Sequence, residues 1–490
     1  MPDQATTAVL SSTATVGLTS YPIAESQLEV WLASQQNAEA NCAYNECSSL
    51  HLRGPLDTDA LQRAVEGVVQ RHEGLRATFS ANGQTTTIHD QLPFDYTFVD
   101  WSSLPSTAQV EAHRQAILEE GTTPFDLEYG PLLRVRLQKL AENDHLLTFT
   151  AHHIVMDGWS LWLFCRDLGH LYDTELNANP SSLPEPQPYQ LFVERMAQYQ
   201  ASDEAEGDAT FWKQQFAGDL PSLELPTDRP RPALKTFSGD RYDHVVEAEL
   251  VAALRQHGGK AGCSLFHTLL AGFQAFVARI AGQTDVCVGI PAAGQNATEL
   301  HEVLGHCVNS LPLRNRVDPK GRFIDFAKTV RSSVLDAMDH QRYTFGTLLR
   351  QLSPPRDPSR PPIFQVMFNI DPEVNVEELG FHGLEVELDI EPRARENFEW
   401  FINGVVRQDG AVEFQCQYNT DLFDRESVAH YFESFEALLC DVAADPTAKI
   451  ENLRLLSRRQ AQQMIVDWND TSFEFPEDAS VHEVVRRQSG

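Results

Sequence analysis

The stretch Ala151-His152-His153-Ile154-Val155-Met156-Asp157-Gly158-Trp159 decides how this chain is read. Two adjacent histidines, an aspartate shortly after the second, and then a glycine form a rare combination. If each fixed type fills about one position in twenty, a chance match occurs in roughly 0.3 % of chains this long. Upstream, Leu132 to Leu140 and His145 to Ala151 flank Glu142-Asn143-Asp144, which predicts a β-hairpin. Downstream, Leu161, Phe164, Cys165, Leu168 and Leu171 recur at helical spacing and predict a helix burying one stripe. The histidines therefore sit at a strand-to-helix transition, where free N–H groups and a helix dipole are available.

Neutral imidazole is well suited to accept a proton near pH 7. Adjacent strand residues face opposite ways, so His152 and His153 cannot play the same part. One reaches an active space and the other packs behind it. Asp157, if buried, needs a partner, and Arg314 or Arg76 could supply it. Gly158 lets a substrate pass close by and leaves its N–H open to an oxygen. A buried turn held by two structural histidines is the plain alternative. A metal site lacks a third nearby ligand, so none is expected, and a serine triad through Ser160 lacks the GxSxG-like elbow. Arg71-His72-Glu73-Gly74-Leu75-Arg76-Ala77-Thr78-Phe79 closes a predicted helix over Asp57 to Arg71, and its arginines could simply satisfy a helix C-terminus. Asn309-Ser310-Leu311-Pro312-Leu313-Arg314 reads equally as an ordinary strand with an exposed arginine.

The chain has 490 residues, enough for two or three domains, with 42% hydrophobic and 22% charged residues. Against 70 Asp+Glu stand 38 Lys+Arg, a formal charge of -32. That balance argues against a nucleic-acid surface and against adhesion to anionic membrane. Eight scattered cysteines without a CxxC pair argue against a disulfide framework or zinc site. With no signal peptide or apolar run of membrane length, a cytoplasmic location is the expectation.

Residues 1–18, rich in Ser, Thr and Ala, read as a disordered leader. A helix is expected after Tyr21 and a strand over Ser48 to Leu52. Four prolines between Asn177 and Pro188 mark a first boundary, giving an N-terminal lobe over 19–185 and a second over 186–455. Leu225 to Pro232 is an extended segment. A strand at Tyr242 to Val246, helices at Leu250 to His257 and Leu265 to Ile280, and a strand at Val286 to Ile290 follow, repeating the opening theme. Two related α/β lobes are expected. From Leu456 the texture changes, and the segment 456–490 reads as a linker toward a further domain.

With these residues in view, the chain resembles the condensation domains of nonribosomal peptide synthetases, whose hallmark is HHxxxDG, here His152 to Gly158. Ser26-Gln27 with Trp31 looks like the family's opening motif, and Arg71 to Phe79 like RHExLRTxF, with Ala77 in place of Thr. Gly289 to Gly294 and Gly305 to Arg314 are similar to the IGxPxxGR and VNTLxLR blocks; Gln295 stands where Arg ends the first, and Cys307 where Phe is common. His340-Gln341 and Phe364 to Asn369 resemble two more. The resemblance covers about residues 20–455. Trp468-Asn469-Asp470-Thr471 and Val481-His482-Glu483 look like the linker into an adenylation domain.

The resemblance implies two chloramphenicol-acetyltransferase-like lobes in a V, with the motif on the floor of a tunnel between them. It implies amide formation: the amine of an aminoacyl group on a downstream carrier attacks an acyl thioester on an upstream carrier. Both arrive on phosphopantetheine arms, and the domain itself binds no cofactor. His153 would be catalytic, as base or as the group orienting the amine. His152, Asp157, Gly158, Arg314, Arg76 and Arg71 would support the motif, with Arg314 favoured as the partner of Asp157. Trp159, Ser160, Asn309 and Ser310 are candidates to line the tunnel. Gly305 to Asn309, with Tyr418 to Phe423, looks like the subgroup accepting polyketide-derived acyl chains. Competing readings are an epimerization domain, a coenzyme A-dependent acyltransferase, and a non-catalytic docking platform of the same fold.

Overall fold

The structure is a computed structural model that describes residues 18–177, 183–372, 375–472 and 480–488. The leader expected over 1–18 lies outside these residues apart from Leu18, and so does part of the first boundary, at 178–182. The first half of the chain gives strands β1 (Leu18–Pro22), β2 (Asn45–Arg53), β3 (Ala77–Phe79), β4 (Thr85–His89), β5 (Asp95–Asp100), β6 (Leu133–Ala141) and β7 (Asp144–His152). The second gives β8 (Gly239–Val246), β9 (Asp285–Ala292), β10 (Asn309–Arg316), β11 (Val366–Pro372), β12 (Glu385–Ile390), β13 (Trp400–Val406) and β14 (Val412–Asn419). They form a five-stranded sheet, β12-β2-β7-β6-β5, a six-stranded sheet, β10-β9-β11-β13-β14-β8, and a small β1-β4-β3 sheet.

The expected hairpin is present. β6 pairs β7 antiparallel from Leu133↔Ala151 to Ala141↔Asp144. The helix over Thr58–Arg71 begins at Asp57, whose side chain accepts from the Ala60 N–H at 2.9 Å. Its Leu61, Val65 and Val68 pack with Leu163, Phe164 and Leu168 of the helix Gly158–Asn177 and with Leu147 and Phe149 of β7. Each such side chain taken from water contributes about 1.5–3 kcal/mol. The second core surrounds the helix Leu265–Ile280, which is buried along most of its length between the six-stranded sheet and the helices Phe323–Asp339 and Arg425–Ala444.

β12 crosses between the halves. It pairs β2 antiparallel from Glu385↔Arg53 to Ile390↔Ser48, so a strand from the later half completes the earlier sheet. All eight cysteines are unpaired and all but Cys440 are buried. Among the described residues no single helix is long and apolar enough to cross a membrane.

Candidate active site at the end of the hairpin

β7 delivers the histidines. Its register places His152 opposite Asn45 and Ala151 opposite Glu46, and the His153 N–H extends the ladder by donating to the Tyr44 carbonyl at 2.7 Å. The chain then turns, with the Val155 N–H donating to the His152 carbonyl at 2.9 Å. Asp157 starts the next helix: its Oδ1 accepts from the Ser160 N–H at 2.9 Å and from the Ser160 hydroxyl at 2.7 Å. An N-cap aspartate suits the positive end of a helix dipole.

The two histidines face opposite ways, as strand geometry predicts. His152 is fully buried. Its Nδ1 accepts from the Ile154 N–H at 3.2 Å, so Nε2 carries the proton and points to Ser34 Oγ at 3.4 Å. The rings of Tyr44 and Phe125 flank it. Burial pushes its pKa down to about 3, so it is a neutral packing group.

His153 is on the other face and lines a cavity of about 2780 Å³. Its Nδ1 is 3.2 Å from Nδ1 of His306, and the two rings meet edge to face. Burial, with the His153 ring beside it, pushes His306 well down, so His306 is neutral. For the two Nδ1 atoms to bond, one must donate. When His153 donates, its Nε2 turns a lone pair toward the cavity. That nitrogen lies 3.9 Å from Oε1 of Glu46, whose Oε2 is 3.4 Å from Nε of Arg393. Gly158 is exposed on the same wall, and a Cβ built there meets nothing. As the first residue of its helix it has no intrahelical acceptor for its N–H.

Asp157 is buried, and its partners correct the expectation drawn from the sequence. Neither Arg314 nor Arg76 reaches it. Its oxygens accept from Nε2 of Gln295 at 3.2 and 3.1 Å, and Oδ2 accepts from the Cys307 N–H at 2.9 Å. Arg314 lies five residues along β10 from Asn309, about 17 Å of strand, and pairs with Asp285 at 3.0 and 2.7 Å. Arg76 donates to the carbonyls of Val69, Gln70, His89 and Asp90, closing the helix before it. Arg71 supports the motif from behind: its Nε donates to Asp167 at 2.8 Å, beside His72 and Arg166 on the same carboxylate.

The candidate lining residues divide. Trp159 and Ser310 line the cavity, and the Trp159 indole donates to the His301 carbonyl at 3.0 Å. Ser160 and Asn309 are struts instead. The Ser160 hydroxyl accepts from the Gly305 N–H at 2.9 Å, and its one proton is shared between Asp157 and the Gly305 carbonyl, 2.8 Å away. The Asn309 amide donates to the carbonyls of Gln341 and Tyr343 at 2.7 and 3.0 Å. His306, Glu46, Arg393 and Gln295 are the residues sequence reasoning did not assign here. For Gln295 a signal existed: it occupies the end of the IGxPxxGR-like block.

The cavity is walled by both halves of the chain, with Phe149, Ser48 and Leu388 from the five-stranded sheet and Met367 and Gln415 from the six-stranded one. Beside Glu46, Arg393 also meets Glu396 at 3.4 Å, and its guanidinium lies 4.9 Å from the Phe401 ring centroid. Burial raises Glu29 to about 8 and lowers Lys235 to about 8. Among the described residues no group of three or more His, Cys, Asp or Glu side chains could hold a metal ion.

The family model of the condensation domain matches residues 18–465. The chain belongs to the condensation-domain family. Chondramide synthase cmdD of Chondromyces crocatus is 32% identical over 464 residues, 94% of this chain and 12% of that protein. Surfactin synthase subunit 1 of Bacillus subtilis (strain 168) is 31% identical over 485 residues, 96% of this chain and 13% of that protein. This condensation domain therefore spans a small fraction of the synthases it resembles. Among solved structures, a four-domain nonribosomal peptide synthetase bound to AMP and glycine superposes with a TM-score of 0.81 at 21% identity, over 91% of this chain and 34% of that one. The first condensation domain of the calcium-dependent antibiotic synthetase, in complex with a substrate analogue, gives 0.77 at 23% identity, over 90% and 99%. These likenesses show the mixed α/β, chloramphenicol-acetyltransferase-like fold.

Proposed function

We propose that this condensation domain joins a carrier-bound acyl thioester to the amine of a carrier-bound aminoacyl group. One observation carries the reading: His153 and Gly158 share a cavity wall beside the buried Asp157, while His152 is buried behind it. The amine nitrogen bonds to the thioester carbonyl carbon, the C–S bond breaks, and a proton moves from nitrogen to sulfur through His153. The Gly158 N–H faces the oxygen that gains charge. Because a thioester is already activated, holding two tethered arms in line supplies much of the acceleration. General-base help adds about 10²–10⁴-fold.

The partners are then an upstream donor carrier, a downstream acceptor carrier and an adenylation domain reached through 456–490. The exposed Ile465 and Trp468 support that last assignment. The donor is a polyketide-derived acyl chain, a reading supported by the Gly305 to Asn309 block. Single turnover tests the proposal: acyl-loaded donor carrier, aminoacyl-loaded acceptor carrier and this protein, read by intact mass of the acceptor. A donor-mass gain that needs the protein and falls about 10²-fold or more in His153→Ala is expected. No gain with either polyketide-type or peptidyl donors overturns condensation. Turnover of peptidyl donors alone overturns the donor class.

A further inference from the structure

The carboxylate of Glu46 has no assigned part in the reaction, yet it lines the same cavity as His153. β2 and β7 place it on the same sheet face as His153, because Glu46 pairs with Ala151 and His153 lies two residues beyond. Its Oε2 is engaged by Arg393, and Oε1 accepts no hydrogen bond; Glu46 lines the cavity, and a turn of its carboxylate is what brings the covered Oε1 to a ligand there. A buried carboxylate oxygen without a donor is costly and asks for one. Oε1 and His153 Nε2 are 3.9 Å apart, too far to bond each other. Once the carboxylate turns to expose Oε1, a nitrogen held about 2.9 Å from both would subtend roughly 85° between them, within reach of two N–H bonds on one ammonium group.

We propose that Glu46 is a substrate-binding residue whose Oε1, together with His153 Nε2, takes the α-ammonium of the acceptor. This rests on the condensation reading above. The ammonium donates one N–H to Glu46 and gives one proton through His153 to solvent, which frees the nitrogen lone pair. On attack, the C–N bond forms and the C–S bond breaks. A second nitrogen proton passes through His153 to the departing sulfur. The products are an amide, a thiol and one released proton. Arg393, held between Glu46 and Glu396, anchors the other carboxylate oxygen, so that Oε1 is the one left for a ligand.

Binding separates this inference from turnover. Aminoacyl-pantetheine amide and its α-hydroxyacyl counterpart differ only in ammonium against hydroxyl, and neither is consumed. Calorimetric titration of the full chain is expected to favour the ammonium ligand by about tenfold or more, as a charge-assisted hydrogen bond provides. Glu46→Gln should bring the two ligands to within about twofold, and Glu46→Asp should keep part of the preference. Urea midpoints for each variant report folding. Equal affinity in the wild type, or a preference that survives Glu46→Gln, overturns the assignment. So does an equal loss for both ligands, which would make Glu46 a strut for Arg393. A domain that condenses in single turnover yet shows no ammonium preference loses this inference alone.

Discussion

Asp157 and Glu46 are two carboxylates flanking the same histidine pair, and they are kept in opposite ways. Asp157 is buried and held by neutral donors on three segments: Ser160, Gln295 and the Cys307 N–H. Glu46 lies at the cavity, is matched with the charged Arg393, and has an oxygen with no donor. A carboxylate with every donor in place fixes a loop, because moving it strands several buried groups at once. One with an oxygen still lacking a donor has a bond to give to something that arrives later. The contrast separates the part of the motif that holds shape from the part that meets substrate.

The most severe way to break the contrast is Asp157→Ala. It strands Ser160, Gln295 and the Cys307 N–H, so a loss of about 3 kcal/mol or more is expected by urea denaturation, with turnover lost too. Glu46→Ala should cost about 1 kcal/mol or less on the same scale while acceptor turnover falls about tenfold. Equal destabilisation by the two would abolish the distinction.

Gln295→Leu comes next. It removes the amide that spans both Asp157 oxygens, and about 1–3 kcal/mol should be lost. Gln295→Glu should be worse than Leu, since it sets a second carboxylate against the first.

Acid sharpens the comparison from the histidine side. His152 in the folded chain is pushed down to about 3, and His306 is also lowered by burial. The unfolded chain takes up protons near pH 6.5 that the folded chain refuses. Stability is therefore full above pH 6.5 and lost as pH falls toward 3, by up to about 1.4 kcal/mol per pH unit for each group. Urea midpoints measured from pH 7.5 down to 4.5 should fall steadily; a flat profile contradicts buried neutral imidazoles. The smallest expected stability effect is at Gly158. Its Cβ position is open, so Gly158→Ala should change stability by about 0.5 kcal/mol or less. Turnover should drop, because the methyl group enters the cavity.

Much of the fold and site is legible in the sequence where the signal is local. The hairpin into β7, the helix from Gly158 and the opposed histidines follow from period and adjacency alone. What escapes depends on distance along the chain. Gln295 meets Asp157 across 138 residues, and nothing in either neighbourhood says which of several polar residues will close that gap. Charge offers Arg314 or Arg76 and the family resemblance favours Arg314, but strand rise carries Arg314 along β10 to Asp285. His306 and Arg393 are likewise brought to His153 by packing between halves. β12 could not be foreseen as a member of the first sheet, since its partner β2 lies more than 300 residues upstream.

That crossing strand has a consequence during synthesis. β2 leaves the ribosome with β7 on one side and nothing on the other until Glu385–Ile390 is made, about 230 residues after His152. At about 5–20 residues per second the open edge persists for on the order of ten to fifty seconds. An exposed edge invites pairing with another nascent chain, and the charge of Arg53 on β2 discourages it until Glu385 and Glu387 arrive to pair with it. The same feature governs recombination between relatives. Exchanging the later half of the gene also replaces the edge of the earlier sheet, and Arg393 beside Glu46 with it.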